Sequence, residues 1–229
     1  MIMAPESPAI LVIDVGGTSI KVSVAGREPP RKIPSGAAMT ARQMVRAVKR
    51  ETRDWGYGRV SIGYPGPVIG GRPIRDPFNL GGSWVGYDFQ KAFGCPVKVI
   101  NDAAMQALGS YQGRRMLFLG LGTGLGSALI ADGVIEPMEL AHLPYKHGKT
   151  YEDYLGRRGL KKHGARRWRR SVFAVAKILK AALEADYVVL GGGNAKKLKS
   201  LPPGMRRGEN NRTFIGGLRL WEKGAVAAA

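Results

Sequence analysis

The sequence predicts an α/β protein of two lobes with a cleft between them, and three observations lead there. Two glycine-rich turns, IDVGGTSIK over residues 13–21 and LGLGTGLGSALI over 119–130, each lie between short apolar runs, as the tip of a β-hairpin does. Each hairpin is followed by helical and extended patterns, a weak internal repeat. The 229 residues suffice for one large domain or for two lobes of about a hundred residues each. A division into 1–105 and 106–229 gives each lobe one glycine turn, with the last helix free to pack back on the first lobe.

Taken in order, residues 9–25 read as the first hairpin and 41–55 as a helix. Thr40 and Gln43 are spaced as a capping box, and Met44, Val45, Val48, Thr52 and Trp55 form the buried stripe. Strands follow at 60–63 and 97–100, with a loop region between them. A helix over 103–111 has Asp102 at its N-cap position. The second hairpin spans 116–131 and runs into a polar, histidine-containing segment. RRWRR, at 166–170, opens a helical pattern with Trp168, Val172, Val175, Leu179 and Leu183 on one face. Arg166, Arg170, Lys177 and Lys180 fall on the other. DYVVLGG reads as a strand, RTFIGGLRLWEKG brings a short strand and a helix, and the AVAAA end reads as frayed.

Apolar residues make up 44% of the chain, yet no run of eighteen apolar residues exists and the first residues lack the features of a signal peptide. A soluble, cytoplasmic protein without a membrane partner is expected. Cys95 is the single cysteine, which excludes disulfides within the chain and cysteine-based zinc sites. Lys and Arg number 36 against 17 Asp and Glu, a net charge of +19. That balance attracts polyanions: nucleic acid, an acidic membrane surface or inorganic polyphosphate. For the basic helix, a solvated face and a binding patch are equally good readings.

Glycine at a tight turn lets backbone N–H groups close around an anion. Neither turn ends in GK[ST], and neither opens a helix as a dinucleotide fingerprint does. Asp14 just ahead of the first turn, Thr18 and Thr123 in equivalent places, and a third cluster at Gly191, Gly192 and Gly193 favour phosphate binding over bare turns. Asn101 and Asp102 follow an apolar strand, the place where open α/β sheets bind ligands. A carboxylate there can take the proton of an attacking hydroxyl or can simply cap a helix. Glu139, His142 and Glu152 lack the HExxH or cysteine-pair spacing of a zinc site. Together with Asn79 and Asn101 they offer the mixture of acceptors and donors that a polyol needs. His147 and His163, set among basic residues, read as surface groups.

The ordered blocks DVGGTSIK, GYPGPV, NLGGSWVGYDF, NDAAMQAL, LGTGLGSALIADG, MELAHL, YEDYLG and VVLGGGNAKK resemble the ROK family of sugar kinases, most of all its polyphosphate glucokinase branch, over residues 10–221. The resemblance implies the two-lobed actin-like ATPase, or ribonuclease H-like, fold. It makes Asp102 the general base for the 6-hydroxyl of glucose, and gives Asn79, Asn101, Glu139, His142 and Glu152 to the sugar. Gly16, Gly17 and Thr18, with Lys21 nearby, match the family's first phosphate loop, and Gly122, Thr123, Gly124 and Gly126 the second. Gly191, Gly192 and Gly193 match the segment beside the nucleoside in members that use ATP. Magnesium (Mg2+) is expected on the phosphates, reached by Asp14 through water and by no protein atom directly.

The function so implied is phosphoryl transfer to glucose from inorganic polyphosphate, ATP or both. The alternatives are a strictly ATP-dependent hexose kinase acting on mannose, glucosamine or a similar sugar, and a sugar sensor without activity. The few residues ahead of the first strand leave no room for the helix-turn-helix of the family's repressors, and no nucleic-acid motif is present, so an enzyme is expected. Family members are commonly homodimers. Three departures stand out: the family's cysteine-rich zinc motif is missing, so His142 is expected on sugar rather than metal; Ala141 replaces the usual glycine; and the chain is short after Glu152. The charge favours polyphosphate, whereas GGGNAKK favours ATP.

Overall fold

The computed structural model describes residues 8–24, 29–209, 211–222 and 226–227. Position 25 of the expected first hairpin, and all of the AVAAA end except 226–227, lie outside these. Among the described residues, no helix is long and apolar enough to cross a membrane. The chain divides into two compact units, one ending at Asp102 and the other starting at Ala103.

The first unit holds β1 (Ile10–Val15), β2 (Ser19–Val24), β3 (Arg31–Pro34), α1 (Ala41–Glu51), β4 (Arg59–Tyr64), β5 (Val68–Ile69), β6 (Arg72–Pro73), α2 (Phe89–Phe93) and β7 (Val97–Asn101). Its main sheet runs β3-β2-β1-β4-β7. The hairpin pairs are antiparallel, and β1, β4 and β7 are parallel neighbours. β1 is central and almost continuously apolar, as a strand covered on both faces must be. Leu11, Ile13 and Val15 share a buried cluster with Met44, Val45 and Val48 of α1. The Thr40–Gln43 capping box is formed as expected. The helix stops at Glu51 rather than at 55, because Thr52 leaves helical geometry while its Oγ1 donates to Val48 O at 2.9 Å. A turn then returns Trp55 to the core, with the Arg31 guanidinium 4.3 Å over its ring. The region expected as plain loop contains the β5–β6 hairpin and α2.

The second unit holds most of α3 (Asp102–Ser110), then β8 (Met116–Leu121), β9 (Leu125–Ala131), β10 (Val134–Met138), α4 (Tyr151–Leu155), α5 (Arg157–Ala182), β11 (Tyr187–Gly191), β12 (Met205–Arg207), α6 (Arg212–Arg219) and β13 (Val226–Ala227). Its sheet runs β12-β11-β8-β9-β10-β13. Without β13 this is the first sheet's order again: an antiparallel three-strand meander whose first strand is extended by two parallel strands. The expected internal repeat is therefore a repeat of topology.

α5 begins at Arg157, nine residues before the RRWRR pattern. Gly164, at φ 72° and ψ 163°, breaks it into two helical segments. The second buries Trp168, Val172, Val175 and Leu179 as the periodicity predicts, and Trp168 Nε1 donates to Leu155 O at 2.8 Å. α3 and α6 meet backbone to backbone. A Cβ on Gly109 would overlap the carbonyl of Arg212, and one on Gly216 the carbonyl of Met105.

Helix propensity alone makes Gly216→Ala stabilising by about 1 kcal/mol. The carbonyl in its way makes it destabilising by about 2 kcal/mol, and a fall in Tm of about 4–8 °C is expected. A thermal melt that leaves Tm unchanged or raised would show that this crossing has slack.

Candidate functional site

In the first unit the site residues gather at one end of the sheet. The register aligns Asp14 of β1 with Gly63 of β4, and Gly63 with Ile100 of β7. The strands are parallel, so the turn at Gly16–Thr18 and the pair Asn101–Asp102 leave the sheet at the same edge, two strand spacings or about 10 Å apart. Asp14 faces Lys21 across the hairpin, with Lys21 Nζ 3.3 Å from Asp14 Oδ2. Burial pushes the Asp14 carboxyl above its usual range, against the pull of the Lys21 ammonium.

The turn has no room for side chains. A Cβ on Gly16 would stand 2.7 Å from Ser19 O, and one on Gly17 would stand 2.9 Å from Asn79 Cβ. Asn79 thus lies against the turn although it is 62 positions away in the chain. Ser35 holds the turn from the other side: its Oγ donates to Gly16 O at 2.6 Å and its N–H to Thr18 O at 3.2 Å. The loop that carries Asn79 is organised by Asp76, whose Oδ1 accepts from the backbone N–H of Trp84 at 2.9 Å and of Val85 at 3.3 Å. Asn101 Nδ2 donates to Gly66 O at 3.1 Å, which ties the GYPGPV loop to the end of β7. Asp102 is the first residue of α3 and is half-buried.

The second unit repeats the pattern. Gly122, Thr123 and Gly124 form the turn between β8 and β9, and Gly191 aligns with Gly120 on the parallel neighbour β11. Gly192 has φ +80°, and a Cβ there would lie 2.8 Å from the backbone of Leu121. Asn194 joins this cluster to the turn, its Nδ2 donating to Gly122 O and its N–H to Leu121 O, both at 2.9 Å. Glu152 lies over Gly124, where any side chain would meet its carboxylate, and its Oε2 accepts the Leu125 N–H at 3.1 Å. The Arg157 N–H closes the far side on Thr123 O at 3.1 Å. Gly126 is within β9 rather than the turn, and Ala103 Cβ would be 2.7 Å from a side chain there.

Glu139 and His142 flank a single 3-10 turn and both are exposed. Buried Ser127 fixes that segment, donating to Met138 O at 2.6 Å and accepting the Leu140 N–H at 3.2 Å. Among the described residues, no group of three or more His, Cys, Asp or Glu stands together as metal ligands do. The structure thus brings Asp14, Lys21, Asn79 and the first turn together, and Glu152, Asn194 and the second turn together. Ser35, Ser127, Asn194 and Asp76 are additions that the sequence reading lacked. Asn194 directly follows the third glycine cluster, a usable signal, whereas Ser35 and Ser127 act at separations of 19 and 11 residues with no local mark.

The model of the ROK family matches residues 10–136. A polyphosphate glucokinase of Mycobacterium tuberculosis is 26% identical over 213 residues, covering 83% of this chain and 80% of its own. The crystal structure of an inorganic polyphosphate/ATP-glucomannokinase from Arthrobacter superposes with a TM-score of 0.74 at 23% identity, over 92% of this chain and 97% of that one. A ROK family glucokinase from Streptomyces griseus, solved with glucose and AMPPNP, gives 0.73 at 18% identity, over 93% and 98%. At these identities the structural likeness is one of fold, the two-lobed actin-like ATPase fold that the sequence led us to expect.

The buried Asp14 carboxylate yields a prediction whose sign can be worked out. Its folded pKa lies above the ordinary 3.8, so its charge costs stability above that raised pKa, and the cost disappears as pH falls toward 3.8. Asp14→Asn should therefore raise Tm at about pH 7, with the gain shrinking toward about pH 4. A variant less stable at neutral pH would mean that the bond to Lys21 outweighs burial.

Proposed function

The chain belongs to the ROK family and is related to its sugar kinases, and we propose that it transfers a phosphoryl group from inorganic polyphosphate, ATP or both to the 6-hydroxyl of glucose. The observation that carries this reading is the shared edge of the first sheet, where a turn of open backbone N–H groups stands about 10 Å from the carboxylate-bearing end of β7. An anion on the turn and a hydroxyl at Asp102 would face each other across that interval.

Asp102 takes the hydroxyl proton as the oxygen attacks, and the phosphoryl group passes in line from donor to sugar. Backbone N–H groups of Gly16–Thr18 and Gly122–Gly124 hold the donor phosphates, and Lys21 adds a cation beside the first turn. Asn79, Asn101, Glu139, His142 and Glu152 hold the sugar hydroxyls, with Glu152 also bracing the second turn. Such a site works mainly by positioning and by stabilising charge on the transferred group. A magnesium ion fits the donor set: it needs only one or two carboxylates when phosphates and water complete its shell, and Asp14 is the carboxylate at the turn. When bound, it would neutralise charge on the phosphates.

Use of ATP is supported by the Gly191–Asn194 segment, which is locked onto the second turn. Use of polyphosphate is supported by the +19 charge and by the Mycobacterium relative. The test is glucose 6-phosphate formation with magnesium and either donor alone. Product from either supports the reading, and product from neither overturns it. Asp102→Asn should retain glucose binding and lose about 10²–10⁴-fold in kcat. Turnover within tenfold of the parent would remove Asp102 as the base.

A further inference from the structure

The second unit carries a concave basic surface that the reaction does not use. Two adjoining cavities of 360 and 630 Å³ share His147, Tyr154 and His163 as walls. Around them stand Lys146, Lys149, Arg158, Lys162, Arg167 and Arg170. The acid among the lining residues is Asp153, whose carboxylate is taken by the Thr150 N–H, at 2.9 Å, and by the Arg158 guanidinium.

Three further features set this surface apart from a solvated helix face. The Tyr154 and His163 rings stack at 5.0 Å with their planes 13° apart, giving the groove a rigid floor. The turn that presents Lys146 and Lys149 puts His147 in the left-handed region at φ 53°, next to Gly148 at φ 66°. A non-glycine residue is held there only by its surroundings, and such strain gathers at functional segments. The break at Gly164 splits α5, so that Lys162 and His163 of its first segment and Arg167 and Arg170 of its second line the same hollow. The sequence reading grouped Arg170 with Lys177 and Lys180. The structure separates them, since Lys177 and Lys180 line a different groove beside Met205.

The groove is also continuous with the site. Arg157 closes the second glycine turn through its N–H, and Arg158 is the next residue. Glu152 lies over Gly124, while Asp153 and Tyr154, its neighbours on α4, line the groove. Like charges facing one another across a hollow repel, and a polyanion relieves that repulsion.

We propose that this groove is a donor-chain subsite that binds the extended phosphate chain of inorganic polyphosphate leading away from the second glycine turn. The proposal rests on the kinase reading above. A chain of phosphates suits it because the cations are spread along the hollow rather than focused on one point. A short donor that reaches only the glycine turns gains nothing from it.

The test compares wild type with Lys162→Gln/Arg167→Gln/Arg170→Gln, three exposed positions whose replacement should leave Tm unchanged. Direct binding of long-chain polyphosphate, tripolyphosphate and single-stranded RNA is measured over a range of salt. The variant should lose at least about tenfold in affinity for the long chain, and its log affinity should fall less steeply with log salt, by about two to three charges. Tripolyphosphate affinity and KM for ATP and glucose should not move. Unchanged long-chain affinity, or equal losses for tripolyphosphate, would overturn the proposal. So would RNA binding as tight as polyphosphate and lost in parallel, which would make this a nucleic-acid surface. A wild type that binds the long chain in the groove yet makes no product from it would refute the donor reading instead.

Discussion

At each glycine turn another group already fills the volume that a side chain would need, and most of the site follows from that crowding. Asn79 Cβ stands against Gly17, the Glu152 carboxylate against Gly124, and the Leu121 backbone against Gly192. These contacts leave bare backbone where an anion could bind and bring polar side chains alongside it. They also fix what comes next in the chain. α4 begins where it does so that Glu152 can reach Leu125, and α5 begins where Arg157 can reach Thr123. The position of the long basic helix is thus set at the turn.

The two sheets share one strand order and differ in what is inserted between strands. In the first, residues 65–96 lie between the fourth and fifth strands and include the Asn79 loop, held by Asp76. In the second, that connection is short, and the added chain comes between the third and fourth strands, with Glu139, His142, Glu152 and all of α5. A repeated scaffold thus supplies the two turns, and unlike insertions supply the side chains around them. Buried serines do similar work on the two scaffolds: Ser127 ties down one such insertion, and Ser35 pins the first turn from β3's exit.

The hairpins and α1 were legible because their signals are local, in apolar alternation, glycine at the turn and the Thr40–Gln43 spacing. The end of α1 was not, because Trp55 continues the apolar period while Thr52 bonds back to Val48 and ends the helix. β10 was hidden by Pro137 and its exposed Glu136, since it is held by pairing with β9 rather than by its own pattern. The start of α5 was hidden by Gly156, Gly159 and Gly164, which read as breaks although only Gly164 departs from helical geometry within the helix. In the site, the glycine strings announced the turns and the family resemblance supplied the roles. The braces came from residues whose partners are distant in sequence, and no local pattern records such pairs.

The meeting of α3 and α6 has a consequence for how the chain can vary. Each glycine abuts a carbonyl of the other helix, Gly109 that of Arg212 and Gly216 that of Met105. A clash between two side chains can be relieved by trimming either one, so a second substitution can rescue the first. Here the opposing atom is part of the peptide chain and every residue type carries it. A genetic screen for suppressors of a larger residue at either glycine should therefore return reversion to glycine, and compensating changes at Met105 or Arg212 should be absent from it.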